Sequence, residues 1–292
     1  YMQMMDLLEK DRVDFLRYQR GELTASYVYQ KLASIEKDKA NKDVLIRIAH
    51  EEQKHYNILR RYTKTDVKPD MKVVNKFYWM AKILGNTFAI KKMESSEIDS
   101  LSAYQVYTDY PDIHDIAADE SKHEDELIAM INEERLNYMG SVVLGLNDAL
   151  VEFTGALAGY TLALNNSTLI ALTGSITGVA AALSMASSEY LSTKSDGGDS
   201  KKPVKAAVYT GFAYLVTVVA LIAPFMILEN VIVALFIMLT IALLIIAAFN
   251  YYYSVARGES FRKRFTEMAI LSFSVAGLSF IIGYILKLIV GV

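Results

Sequence analysis

The chain has 292 residues but no cysteine, only four prolines and a single tryptophan. Without cysteine there is no disulfide framework, thiolate-bound zinc, iron–sulfur cluster, rubredoxin-type iron or thiol nucleophile. The net charge of −3 is close to zero, and no basic stripe carries interleaved aromatic residues, so we expect no binding to nucleic acid. Carboxylate, imidazole and thioether groups remain as the chemistry available to a metal or catalytic site.

Charge is divided unevenly along the chain. Residues 1–138 carry 46 of the 63 charged side chains and a net charge of −4, whereas residues 139–292 carry 17 and a net charge of +1. This segregation is typical of a polar domain joined to a membrane domain. The first 20 residues hold eight charges, so we expect no secretory signal there and a cytosolic N-terminal domain. We therefore predict two domains, residues 1–137 and 138–292.

Long uncharged stretches occur only in the second half. Residues 206–228, 230–256 and 268–286 are each long enough to cross a hydrocarbon core of about 30 Å at about 1.5 Å per residue. A fourth run, 153–188, is broken by the turn-forming residues 165–168, and it forms two spans if the first begins near Tyr138. We predict five spans, near 138–163, 169–190, 206–228, 230–254 and 266–288.

The basic residues between the predicted spans are confined to two loops. One loop holds Lys194, Lys201, Lys202 and Lys205, and the other holds Arg257, Arg262, Lys263 and Arg264. The remaining two loops contain no lysine or arginine. The positive-inside rule then places the basic loops and the N-terminal domain in the cytosol and the C-terminus outside.

Two predicted spans carry acidic side chains. Asp148 and Glu152 share one face of the first span at i,i+4 spacing, and Met185 and Glu189 have the same spacing in the second. Asp148 would lie about 15 Å deep, near the middle of the membrane. A carboxylate within a span costs about 2.5–3.5 kcal/mol and usually marks an ion or proton pathway. The alternative is that the acids are hydrogen-bonded and hold helices together, and that Met185 only fills space.

Residues 145–151 and 184–192 resemble the two signature stretches of the vacuolar iron transporter family, and five spans fit that family as well. The resemblance implies a homodimer that exports Fe²⁺, with Mn²⁺ as an alternative cargo, from the cytosol in exchange for protons. It also implies that Asp148 and Met185 lie on the transport path and that Glu189 lies at its cytosolic mouth.

The sequence departs from that family at three points. Ala149 stands where the family often has glycine, and Glu152 is an acid at a position that is often not one. Plant-type members carry a glutamate-rich helical insert between spans two and three, whereas residues 192–205 contain only two acids, Asp196 and Asp199. Another part of the chain must therefore collect the metal.

The first half of the chain has helical periodicity throughout and no alternating strand pattern. Prolines occur only between periodic segments, at Pro69 and Pro111. We predict helices near 5–38, 43–62, 72–107 and 112–137, with a break within 72–107 as an alternative. Four helices with one long connection between the second and third indicate a ferritin-like four-helix bundle, so the predicted fold class is all-α.

Two of the four histidines follow a glutamate at the same spacing. Glu52 precedes His55 by three residues, and Glu120 precedes His123 by three. On a helix these side chains project from one face, as two ligands of one metal ion must. Mixed carboxylate and imidazole ligands without thiolate suit iron or manganese.

The other two predicted helices each supply a glutamate. Glu22 is followed seven residues later by Tyr29, and Glu97 is followed seven residues later by Tyr104. A glutamate on one helix, Glu-x-x-His on the next, and the same pair again is the ligand order of ferritin-like di-metal bundles. A single glutamate of this kind is usually a solvated charge on a helix surface, and only the ordered set of six residues favours a metal site.

This half resembles the rubrerythrin branch of the ferritin-like family over residues 8–137, and Glu94, three residues before Glu97, strengthens the likeness. The resemblance implies a di-iron site with these ligands: Glu22, Glu52, His55, Glu94, Glu97, Glu120 and His123. The chain lacks the rubredoxin domain, so rubrerythrin-type peroxidase chemistry fed by electrons is not expected. His50 and His114 match no motif.

Residues 74–93 combine aromatic side chains with four lysines. One interpretation is an interfacial helix on the cytosolic leaflet, with the aromatic residues facing the lipid. The other is a crossover segment packed on the bundle.

The fusion of the two halves resembles the architecture called membrane-bound ferritin. We predict a proton-coupled exporter of Fe²⁺ or Mn²⁺ in the lipid bilayer, with a cytosolic di-iron domain that captures, senses or oxidises iron. The alternative is a membrane-anchored ferroxidase or peroxide-consuming enzyme, and the sequence leaves the question of enzymatic activity open.

Overall fold

A computed structural model of the protein describes residues 9–93, 104, 106–129, 138–197 and 202–291. All regular secondary structure in these residues is helical, which confirms the all-α prediction. The chain divides into two compact units, Tyr1–Asn132 and Glu133–Val292, and each is described by itself below.

The first unit contains five helices in its described residues. They are α1 (Glu9–Ile35), α2 (Lys39–Thr63), α3 (Met71–Leu84), α4 (86–93) and α5 (Pro111–Ala129). The predicted third helix is broken at Gly85, where φ is 100°. Such a backbone conformation is accessible to glycine and ends the helix, which begins again one residue later.

Side chains at the helix starts fix the boundaries of α2 and α3. The Asp38 carboxylate accepts a hydrogen bond from the backbone N–H of Asn41, and the Asp70 carboxylate accepts from those of Lys72 and Val73. These are N-cap interactions, which satisfy amide groups that have no partner inside the helix. The short connection between α1 and α2 makes the two helices antiparallel neighbours.

The core of this unit has an aliphatic part and an aromatic part. Val28 and Leu32 of α1 pack with Leu45 and Ile48 of α2, and all four are fully buried. The second part is centred on Phe15 and contains five partly or fully buried tyrosines contributed by α1, α2 and the segment before α5. The aliphatic core holds α1 and α2 at a fixed register, and this register positions the ligand candidates on the two helices.

The two interpretations of residues 74–93 apply to different side chains of the segment. Phe77 and Phe88 are buried in the bundle, so they do not face lipid and the packing interpretation is right for them. Trp79 and Ile83 remain 54% and 67% exposed, with Lys82 placed over the Trp79 ring. A membrane role for this exposed face stays a prediction.

The described residues of the second unit form five helices, each long and apolar enough to cross a membrane, which agrees with the predicted number of spans. They are α6 (Met139–Leu164), α7 (Ser167–Asp196), α8 (Pro203–Ile227), α9 (Val231–Arg257) and α10 (Phe261–Val290). The turn after α6 is the predicted one: Asn165 is left-handed with φ 45°, and Asn166 caps α7 by accepting from Leu169 N–H.

Glycines allow the spans to approach closely. Gly145 of α6 lies directly against the backbone of Thr210 in α8, and Gly159 of α6 lies against Gly283 of α10. A Cβ atom at Gly145 or Gly283 would collide with backbone, so the two contacts exclude any larger residue there. Small residues are what membrane helix interfaces require, because apolar side chains gain little from leaving lipid.

Candidate metal centre and ion path

Four predicted ligands of the bundle converge from three helices. Glu22 of α1, Glu52 and His55 of α2, and Glu120 of α5 each place one ligand atom within 4.8 Å of the others. Glu52 and His55 are only 2% exposed, and Glu22 is 7% exposed. A buried group of this composition could hold a metal ion.

His123 completes a paired arrangement around two carboxylates. Glu120 directs Oε1 to Nδ1 of His55 at 3.0 Å and Oε2 to Nδ1 of His123 at 3.8 Å. Glu52 directs Oε2 to Nδ1 of His55 at 3.9 Å and Oε1 to Nδ1 of His123 at 3.2 Å. The imidazole rings stack with centroids 5.8 Å apart. Each carboxylate therefore lies between the two imidazoles, as a ligand that bridges two metal ions would.

Several of these atoms lack hydrogen bonds among the described residues. Nδ1 of His55, Nδ1 of His123 and Oε1 of Glu120 are buried, and their contacts do not have hydrogen-bond geometry. An unsatisfied buried polar atom is costly, so native proteins rarely retain one without a function. Carboxylate oxygens and imidazole nitrogens that face one space fit a divalent iron or manganese ion.

The charges of the cluster are balanced by protonated imidazole when no cation is bound. Burial opposes the charged form of His55, but the Glu120 and Glu22 carboxylates outweigh it and raise the pKa of His55 to about 10. Burial likewise opposes ionisation of Glu120, but the two imidazoles lower its pKa to about 2. Despite its burial, His123 also has a raised pKa, because of Glu120 and Glu51. A bound cation would take the place of these protons.

Two acids that the sequence analysis did not single out contact the Nε2 atoms of the imidazoles, on the side away from the cluster. Nε2 of His123 lies 2.5 Å from Oε2 of Glu51, and Nε2 of His55 lies 3.3 Å from Oδ2 of Asp119. Each acid belongs to the helix opposite the histidine it contacts. Such contacts keep Nδ1 directed at the cluster. The signal was present in the sequence, since an acid immediately precedes both Glu52 and Glu120.

Tyr104 also contacts the cluster, although the sequence indicated it only as a spacing marker. Its hydroxyl donates a hydrogen bond to Oε1 of Glu22, and its ring is 1% exposed. Burial and the Glu22 carboxylate raise the pKa of Tyr104 well above its usual value, so the phenol stays protonated. The hydrogen bond therefore fixes the orientation of a predicted ligand.

Five of the seven predicted ligands are thus brought together. The other two, Glu94 and Glu97, lie outside the described residues. His50 and His114 are exposed, as expected for histidines that match no motif.

In the membrane unit, the predicted acids flank a change of helix type. The first α-helical segment of α6 ends at Asp148. Residues Ala149–Phe153 then form a π turn that contains Glu152. The two carboxyl groups interact with each other. Asp148 is half-buried and Glu152 is exposed on the side of the unit. π turns inside α-helices occur frequently at functional sites, and hydropathy alone does not reveal them.

An open cavity of about 420 Å³ lies beside Asp148. All of its lining residues belong to α6: Gly140, Val143, Leu144, Asn147, Asp148 and Val151. The cavity gives the Asp148 carboxylate access to the outside of the unit.

The predicted path residues on α7 differ in their surroundings. Glu189 accepts a hydrogen bond from Oγ of Ser141 at 2.6 Å, and the backbone carbonyl of Ser141 accepts one from Thr210 Oγ1 at 2.9 Å. These bonds connect α7, α6 and α8 near the start of α6. Met185 packs half-buried against the apolar core, and its place on an ion path stays a prediction.

Tyr214 of α8 is a polar group that the sequence did not indicate, because tyrosine is ordinary in an apolar span. Its side chain is fully buried, and its hydroxyl has no hydrogen-bond partner in the described part of the unit. Asp148 and Glu152 are the acids with which it interacts electrostatically.

Comparison with known proteins adds one result. No curated protein and no solved structure matches the chain. A family model does match, over residues 139–198, which contain all of α6 and α7 and the four predicted path residues. The matching model is that of the VIT family, so residues 139–198 are similar to that family.

Proposed function

We propose that the protein exports a divalent metal from the cytosol through its membrane unit in exchange for protons. The proposed cargo is Fe²⁺, with Mn²⁺ as the alternative. The VIT family match supports a membrane metal-ion transporter, and the five apolar helices support a multi-pass membrane protein. The buried Glu/His group supports a metal-handling role for the bundle.

The acids Asp148 and Glu152, set where α6 changes from an α-helical segment to a π turn, are the observation that carries this proposal. At about 2.5–3.5 kcal/mol each, two acids near mid-span are too costly to be incidental. Export of a cation against an inside-negative potential is uphill by about 2.3 kcal/mol per charge per 100 mV, so it needs a coupled ion. A carboxylate pair that exchanges two protons for one divalent cation provides that coupling without leaving net charge in the membrane.

The exposed position of Glu152 also supports a homodimer. A carboxylate on the outer side of one unit would face lipid, and the cavity beside Asp148 is lined by a single helix. A second copy placed against α6 would enclose both acids and complete the path. The distribution of lysine and arginine supports cytosolic basic loops, a cytosolic bundle and a C-terminus outside.

In the bundle, Glu22, Glu52, His55, Glu120 and His123 would hold the metal, joined by Glu94 and Glu97. Bound iron would supply one-electron redox chemistry there. The protein residues would hold and orient the ion, and they would release protons when it binds. Because ferric ion is a poor cargo for a divalent path, we propose that capture or sensing is the main role of the bundle. Oxidation would then be slower than transport.

The second candidate function is a membrane-anchored ferroxidase or peroxide-consuming enzyme. The paired carboxylates between two imidazoles favour it, because this arrangement suits two metal ions rather than a single transient one. In this case the membrane unit would supply iron and anchor the bundle.

Metal flux into proteoliposomes separates the two functions. We expect proton-dependent Fe²⁺ uptake that is lost in Asp148→Asn and retained in Glu229→Gln, an exposed acid at the end of α8 that serves as the matched control. Glu52→Ala should keep part of the flux. Absence of flux in the unsubstituted protein, together with rapid Fe²⁺ oxidation that Glu52→Ala abolishes, would overturn the transporter and support the enzyme. Competition by Mn²⁺ in the same assay decides the cargo.

A further inference from the structure

Five tyrosines form a continuous row through the bundle. In order they are Tyr104, Tyr18, Tyr107, Tyr110 and Tyr62, and we call them the tyrosine chain. Successive ring centroids are 5.1, 6.3, 6.4 and 5.5 Å apart. No gap in the row is wider than a ring contact, so one-electron exchange along it meets no large tunnelling distance.

The two ends of the tyrosine chain lie in different environments. Tyr104 is buried and donates its hydroxyl hydrogen bond to Glu22, a member of the metal cluster. Tyr18, Tyr107 and Tyr62 are only half-buried and reach the surface of the bundle. The row therefore leads from the buried cluster to solvent.

Carboxylates beside the tyrosine chain can accept the protons that tyrosine oxidation releases. A phenol that loses an electron must also lose its proton. The hydroxyl of Tyr107 donates to Oδ2 of Asp14 at 3.2 Å, and that of Tyr110 donates to Oδ2 of Asp11 at 3.2 Å. A carboxylate at this distance can take the proton and return it. Burial, then Tyr18 and Asp14, raise the pKa of Tyr107, so the resting phenol is protonated.

Packing alone does not account for this arrangement. Phe15 lies among the rings of the tyrosine chain, in edge contact with Tyr62, Tyr107 and Tyr110. A ring without a hydroxyl therefore fits there. Hydroxyl groups nevertheless occupy the positions that connect the cluster to the surface, and three of them bond to carboxylates. The hydroxyl is the group that makes an aromatic ring a reversible one-electron donor.

We propose that the tyrosine chain conducts electrons from the bundle surface to the buried metal cluster. This rests on the second candidate function, in which the bundle binds iron and oxidises it. The oxidant is dioxygen, and the surface reductant is ferrous ion in solution. Each transfer moves one electron inward, passes the phenol proton to the hydrogen-bonded carboxylate and leaves a tyrosyl radical. A surface ferrous ion reduces that radical and becomes ferric, and the phenol regains its proton.

The overall reaction is balanced. Four ferrous ions and four protons convert one dioxygen into two waters and leave four ferric ions. Ferrous ions held by the cluster residues would supply some of these electrons, and the tyrosine chain would supply the others. The chain thereby takes the place of a thiolate-bound iron donor, which a sequence without cysteine cannot form. Without the tyrosine chain, two ferrous ions held by the cluster residues would supply only two electrons, which reduce dioxygen to hydrogen peroxide.

The first experiment mixes the full-length protein, loaded with Fe²⁺ in detergent, with dioxygen and freezes it for electron paramagnetic resonance. We expect a tyrosyl signal that is lost in Tyr104→Phe, with a several-fold rise in released hydrogen peroxide. Tyr56→Phe is the matched control, because Tyr56 is buried, its hydroxyl bonds to Asp66, and it lies outside the chain. Normal Fe²⁺ oxidation with no radical, and with equal peroxide release in all variants, would overturn the chain and leave the metal site intact.

The second experiment does not depend on iron chemistry. A photogenerated ruthenium oxidant in solution oxidises the metal-free, full-length protein, and peptide mass spectrometry locates the modified tyrosines. Because Tyr104 is 1% exposed, a bulky oxidant cannot reach it directly. We expect Tyr104 to be oxidised through the chain, several-fold less in Tyr18→Phe and unchanged in Tyr56→Phe. Equal modification of Tyr104 in the two variants, or none in any, would overturn the proposal even if the bundle never oxidises Fe²⁺.

Discussion

Glu51 should control the metal affinity of the bundle without being a ligand. Its carboxylate lies 2.5 Å from Nε2 of His123, and its side chain is only 21% exposed. Removing a carboxylate that orients a metal-binding imidazole typically lowers affinity by about 10–100-fold, which is about 1.4–2.7 kcal/mol. We therefore expect Glu51→Ala to weaken metal binding within that range. Glu51→Gln should lose less, because its amide oxygen can still accept from the imidazole.

Asp119 provides an internal scale for this prediction. It contacts His55 at the longer distance of 3.3 Å, and its side chain is 61% exposed, so water can replace it. Asp119→Ala should therefore cost clearly less than Glu51→Ala. Titration of the metal-free protein with Co²⁺, followed by its visible spectrum, gives both affinities. The control is Glu126→Gln, which removes a carboxylate that pairs with Arg47 rather than with an imidazole. Equal affinities for Glu51→Ala and Glu126→Gln would refute the argument.

Three further predictions follow from other parts of the structure. Metal binding at pH 7 should release protons, because the pKa of His55 is raised to about 10 and only the neutral imidazole binds metal; apparent affinity should then rise with pH until about 10, and calorimetry in buffers of different ionisation enthalpy measures the release. Tyr214→Phe should leave the stability unchanged or raise it by about 1 kcal/mol, since the hydroxyl is buried without a partner in the described residues, yet it should slow transport in proteoliposomes. Gly145→Ala should lower the thermal stability in detergent, because the added methyl group meets the backbone of Thr210, whereas Gly277→Ala, with nothing near its added methyl in the described residues, should not.

The elements that could be predicted are those fixed by local geometry. Three-residue spacing places Glu52 beside His55 on any α-helix, and apolar runs of sufficient length define the spans whatever their neighbours are. The paired position of the carboxylates between the two imidazoles then follows once the helices pack in register. The Asn165 turn was predictable for the same reason, because asparagine tolerates the left-handed conformation.

Features that depend on contacts between helices were not accessible in this way. The contacts of Glu51 and Asp119 cross from one helix to the other, so their positions in the sequence did not indicate which histidine they serve. The π turn around Glu152 uses residues as apolar as those of an ordinary helix, and no periodicity distinguishes it. The row of tyrosines combines residues far apart in the sequence, and only the fold brings Tyr104 against Tyr18.

The π turn divides α6 into two α-helical segments, and the face that each segment presents to its neighbours is set separately. Before the turn, the helix presents Asp148 and its cavity; after it, Gly155 and Gly159 fit against α10. The turn holds one more residue than an α-helical turn would need. Deleting Leu150 would restore a regular helix but rotate one face by about 100° relative to the other. The extra residue therefore sets the rotation of one half of the span relative to the other. Because of it, the acid-bearing half and the glycine-bearing half each face their own neighbour.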